Sequence, residues 1–162
     1  MKSHGEILKE IMKEKDIKFV VASGNQYYQL HSFFPEFADE LTYVAENGAY
    51  IVSKGIELFA AEIPRKETEA IIDKISEMSA VNMVVCGKKS AYVKMETSDE
   101  FFNYANRYYH KLLRTADIKS ADDQIFKFAL NCPVEMVKEV QKELNNLIGH
   151  ILIPTASGHG DI

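Results

Sequence analysis

Apolar residues along this 162-residue chain change rhythm from segment to segment, and the changes mark out its elements. Ile7, Leu8, Ile11 and Met12 recur at helical intervals, and Ser3 and Glu6 have capping-box spacing, so the pattern predicts an amphipathic helix over 4–15. The run that follows, 17–22, is almost continuously apolar, as a buried parallel strand is, and it stops at Ser23-Gly24-Asn25. Tyr27, Leu30 and Phe34 then share a helical face until Pro35 ends the pattern. A short apolar strand at 41–45 is closed by Glu46-Asn47-Gly48. Helix, strand, helix, strand in this order predicts a βαβ-type unit with parallel strands and a right-handed crossover.

Beyond residue 48 the pattern shifts. Strands at 49–52 and 56–60 flank Ser53-Lys54-Gly55, a hairpin with glycine in the turn. Pro64 opens a helix that carries Ala70, Ile71, Ile75 and Met78 on one side, and strands at 81–86 and 91–95 follow, joined through Gly87 to Ser90. Thr97 and Glu100 form a second capping-box pair before a helix bearing Phe101, Tyr104, Ala105, Tyr108 and Leu112. A strand at 125–130, a helix from Pro133 to Ile148 and a strand at 151–153 complete the regular part. Residues 61–153 thus predict an α+β layer with a mainly antiparallel sheet and helices on one face.

Composition narrows the function. An apolar content of 46% supports a real core, and a net charge of −5 with scattered basic residues argues against a nucleic-acid partner. No apolar stretch reaches the roughly 18–20 residues that cross a bilayer, so no membrane partner is expected. Glu6, Glu10 and Glu14 interrupt any signal-peptide core, which makes a cytoplasmic location the expectation. Cys86 and Cys132 lack metal or disulfide spacing and are expected as buried thiols.

Candidate chemistry centres on Ser23. A hydroxyl at the carboxyl end of a buried strand, followed by glycine, stands where open α/β sheets place ligands, although serine there also serves as a helix N-cap. Asn47-Gly48 fits a plain turn and equally the rim of such a site. The landmarks Ala22-Ser23-Gly24, Ala45-Glu46-Asn47-Gly48-Ala49 and Ser157-Gly158-His159-Gly160-Asp161-Ile162, with the long α+β segment between them, resemble the Cof-type phosphatases of the haloacid dehalogenase-like (HAD) superfamily.

That resemblance implies an α/β fold: a partial Rossmann-like core over 1–60, an inserted α+β cap domain over 61–153 and a return linker at 154–162. It implies magnesium-dependent hydrolysis of a small phosphorylated metabolite through an aspartyl-phosphate. Phosphate binding falls on Ser23 with the N–H groups of Gly24 and Asn25, and Asn47 takes the site rim. At position 25 family members usually carry Arg, and this chain has Asn. The family's Asp-x-Asp-Gly-Thr nucleophile segment would precede the first helix, where only Met1-Lys2-Ser3 stands, and its lysine and magnesium ligands would follow residue 162. The resemblance therefore implies a chain truncated at both ends, with no catalytic residue and no metal ligand of its own, inactive alone. The alternative is a non-catalytic assembly domain, a homo-oligomer joined through unpaired edges of the 17–22 and 41–45 strands. His159 and Asp161, the Asp122-Asp123 pair and the turn lysines Lys88 and Lys89 are expected in structural rather than chemical roles.

Overall fold

The computed structural model describes residues 4–162, so the Ser3 half of the first capping box lies outside the described residues. The chain divides into two compact units. One holds the residues up to Ala61 together with Asn106–Lys111, and the other holds Glu62–Ala105 and Leu112–Ile162.

In the first unit, α1 (His4–Lys15) precedes β1 (Val20–Ala22), α2 (Tyr27–Ser32), β2 (Thr42–Ala45), β3 (Tyr50–Ser53) and β4 (Ile56–Ala60). The sheet runs β1-β2-β3-β4, parallel between β1 and β2 and antiparallel beyond. Leu30, Phe37, Leu41, Tyr43 and Ala45 form its core, and Leu8 and Met12 of α1 pack against it together with Phe19, Val21, Tyr27 and Phe34. Burying side chains of this size contributes about 1.5–3 kcal/mol each, which is what holds so short a helix as α2 in place.

The first strand is shorter and more open than the sequence suggests. Asp16 takes a left-handed φ of 49° and the Ile17 N–H donates to Met12 O at 3.0 Å, so the turn off α1 consumes the residues before Val20. Among the described residues β1 pairs only with β2, and Val20 remains 49% exposed. Among the described residues the strand expected to be fully buried is thus an edge strand. β2, expected to carry an open edge, is flanked by β1 and β3.

The second unit contains α3 (Arg65–Ser76), β5 (Asn82–Gly87), β6 (Ala91–Lys94), α4 (Asp99–Ala105), β7 (Leu112–Thr115), β8 (Ile125–Asn131) and α5 (Val137–Ile148). Its sheet order is β7-β6-β5-β8, antiparallel except for the β6–β7 pair. Ile71, Ile72 and Ile75 of α3 and Val140, Leu144 and Ile148 of α5 share one core with Val85, Tyr92, Ile125 and Leu130 of the sheet.

Three expectations fail here. The helix expected to run to Leu112 stops at Ala105, and Leu112 begins β7 instead. Ser98, not Thr97, caps α4, accepting the Phe101 N–H at 3.2 Å. No strand forms at 151–153, where the Ile151 and Leu152 N–H groups turn back onto Ile148 O. At the C-terminal end, Leu130 and Ile162 exchange both main-chain bonds, at 2.8 and 2.9 Å, which lays the last residues along β8.

Candidate functional site

Parallel pairing of β1 with β2 sends both strands out at the same end of the sheet, and their loops meet there. Three main-chain bonds lace them together. The Ser23 N–H donates to Val44 O at 3.0 Å, the Glu46 N–H to Asn25 O at 3.2 Å and the Asn47 N–H to Ser23 O at 3.4 Å. Ser23 Oγ accepts the Asn25 N–H at 3.2 Å, closing a hydroxyl turn over Gly24. α2 starts only at Tyr27 with Gln26 as its N-cap, so Ser23 does not cap the helix.

The second loop is bent hard toward the first. Glu46, Asn47 and Gly48 take φ values of 51°, 57° and 91°, all left-handed. For non-glycine residues such backbone costs on the order of 1–3 kcal/mol each and persists where surrounding contacts impose it. Here it presses the Asn47 amide onto the main chain of residue 24, where an added Cβ would collide with Asn47 Oδ1. Only glycine at 24 allows this approach. The four residues singled out from the sequence, Ser23, Gly24, Asn25 and Asn47, therefore lie together at one sheet end.

The first unit also holds an aromatic cluster. The Tyr27 ring stands edge-on to Tyr43 and to Tyr50, with centroids 5.5 Å apart in both cases. Burial, then the charges of Tyr27 and Asp39, pushes the Tyr43 hydroxyl up to about 12. The same applies to Tyr50, through burial first and Glu57 second. Both phenols stay protonated and neutral.

The remaining polar candidates are tied into structure. Asp161 accepts from Tyr104 Oη at 3.2 and 3.3 Å and from Asn131 Nδ2 at 2.8 Å. Asp123 takes the N–H groups of Lys89, Ser90 and Gln124 and the Tyr92 hydroxyl, which clamps the β5–β6 turn. Asp122 pairs at 3.0 Å with Lys89, whose ammonium holds its carboxyl below the usual range. His31 lies 3.0 Å from Asp39. Sequence reasoning missed Gln26 and the Asn106–Lys111 excursion, whose partners stand some eighty positions away along the chain.

Magnesium requires a cluster of hard oxygen ligands. Among the described residues no group of three or more His, Cys, Asp or Glu side chains is placed to hold a metal ion. These residues do not fit the ion, and no chemical step here runs through it.

Strand-end loops of this kind on a mixed α/β fold define the class. The sequence matches the haloacid dehalogenase-like hydrolases over residues 2–162, and the chain belongs to that family. It is 41% identical over 151 residues to the 5-amino-6-(5-phospho-D-ribitylamino)uracil phosphatase YbjI of Escherichia coli K12, an overlap of 93% of this chain and 56% of that one. SMU.1108c of Streptococcus mutans has the same fold at a TM-score of 0.86 and 32% identity, over 97% of this chain and 59% of that one. TM0651 of Thermotoga maritima, at a TM-score of 0.78 and 15% identity over 98% and 60%, shares the fold. The chain spans a little over half the length of these relatives.

Proposed function

We propose that this chain carries the phosphate-binding loop and the cap of a phosphomonoester hydrolase acting on a small phosphorylated metabolite. Ser23 Oγ and the N–H groups of Gly24 and Asn25 take the phosphate, and Asn47 closes the rim. The observation that carries this is the close approach of Asn47 to Gly24 beside the Ser23 hydroxyl, on left-handed backbone at Glu46, Asn47 and Gly48. Support for the substrate class comes from the Escherichia coli relative, whose name describes a phosphatase of a phosphorylated ribityl compound.

Magnesium dependence enters at the level of the family. The sequence 1–162 contains no Asp-x-Asp-Gly-Thr segment, so these residues alone bind a phosphomonoester without turning it over. Buried free thiols at Cys86 and Cys132 fit a reducing, cytoplasmic setting. The test is p-nitrophenyl phosphate with magnesium: binding without sustained hydrolysis, lost in Ser23→Ala, supports the proposal. Turnover by residues 1–162, or binding that survives Ser23→Ala, overturns it.

A second reading, self-association through a sheet edge, rests on the two edge strands of the first sheet, β1 as expected and β4, where Ile56, Leu58 and Phe59 are at least half exposed. Sedimentation that is independent of concentration would count against it.

A further inference from the structure

Residues 19–53, which build β1, α2, β2 and β3, contain no Lys or Arg, while Glu36, Asp39, Glu40 and Glu46 all fall within them. An anion at Ser23 would thus find no cation from its own stretch of chain, and position 25 is neutral. Besides α1 and β4, the excursion Asn106–Lys111 of the first unit adjoins this stretch, and it reads Asn-Arg-Tyr-Tyr-His-Lys.

The attachment of that segment is specific. Gln26, next after Asn25 and only 2% exposed, grips the main chain of Lys111 at two points: its Nε2 donates to Lys111 O, and its Oε1 accepts the Lys111 N–H, both at 2.9 Å. Gln29 Nε2 donates to Arg107 O at 2.7 Å, and Ser32 Oγ lies 3.3 Å from His110 Nδ1. Two buried amides are thus committed to fixing a surface segment, and Gln29 does so with its Oε1 left buried and without a hydrogen bond. The side chain of Lys111 remains exposed, with its ammonium 3.5 Å from the Tyr28 ring centroid, over the first turn of α2, the end of the helix nearest Asn25.

We infer that Lys111, held by the Gln26 clasp, supplies the positive charge of the phosphate site that Asn25 does not. This rests on the phosphate reading of Ser23 and names a further binding residue for it. Because the clasp uses only main-chain atoms of Lys111, substitution of its side chain leaves the anchorage in place.

Calorimetric titration of the 1–162 chain with inorganic phosphate, at low and at moderate salt, tests it. Lys111→Met should weaken binding about tenfold and flatten its salt dependence, and Lys111→Arg should restore most of the affinity. Lys138→Met, the same charge change on exposed α5, should leave binding as in the parent. Gln26→Leu should weaken binding in the same direction by freeing the excursion. Parent binding that vanishes in Ser23→Ala but is untouched in Lys111→Met overturns this inference and leaves the Ser23 reading standing. Absence of phosphate binding by the parent chain overturns both.

Discussion

Two tight turns in this molecule press a polar side chain onto a glycine, and they differ in what the side chain does next. At the β5–β6 turn, Asp123 lies against Gly87 and spends its oxygens on three main-chain N–H groups and a tyrosine hydroxyl. At the β1 loop, Asn47 lies against Gly24 but stays exposed, beside a serine hydroxyl that accepts a single main-chain bond. A saturated carboxylate is a structural clamp. A strained, exposed amide next to a hydroxyl keeps hydrogen-bonding capacity for a ligand.

The same substitution therefore has opposite consequences at the two glycines. In Gly87→Ala the new methyl meets a carboxylate that cannot move without breaking its bonds, and we expect a loss of about 2–3 kcal/mol in urea unfolding of the second unit. In Gly24→Ala the Asn47 amide can swing into solvent, so the cost should stay below about 1 kcal/mol while phosphate binding disappears. Equal destabilisation at both sites would break the distinction.

The aromatic cluster of the first unit can be read out by pH. Tyr43 in the folded chain holds its proton to about 12, against the ordinary 10.0. A raised pKa of this kind contributes stability that is fully present below about pH 10 and is lost as pH rises toward 12, by roughly 3 kcal/mol at most. Tyr43→Phe should reduce that alkaline slope, with Tyr50 keeping its own share, at the cost of the hydrogen bond the Tyr43 hydroxyl donates to Ala38 O. Denaturation midpoints between pH 8 and 12 measure both effects.

Smaller effects separate the loops further. Asn47→Ala should change stability by less than about 0.5 kcal/mol, since relief of side-chain crowding offsets the less favourable left-handed backbone. It should still lower phosphate affinity severalfold. Lys89→Met, which removes the exposed partner of the fully exposed Asp122, should leave the unfolding midpoint unmoved.

Local signals in the sequence mark the two strand-end loops. The break from apolar strand to Ser23-Gly24 and the Asn47-Gly48 turn are both short-range features, and each stands where the pattern places it. Less legible was anything fixed by distant partners. Phe101, Tyr104, Ala105, Tyr108 and Leu112 have helical spacing, yet the chain leaves α4 at Ala105 because Gln26 and Gln29 bind the main chain of Lys111 and Arg107, which a helix would have consumed internally. The ending at Ser157 to Ile162, expected as a linker, is drawn onto β8 by paired bonds with Leu130 and by Asp161. A run of glycines and polar residues carries no trace of that pairing.

The central claim is that the Ser23 loop is a phosphate cradle. Its most direct test is a phosphate titration of isotopically labelled 1–162 chain, followed through main-chain amide resonances. Saturable shifts centred on residues 23–25 and 47, abolished by Ser23→Ala, are the predicted result. Shifts that avoid this loop, or that persist unchanged in Ser23→Ala, would contradict it.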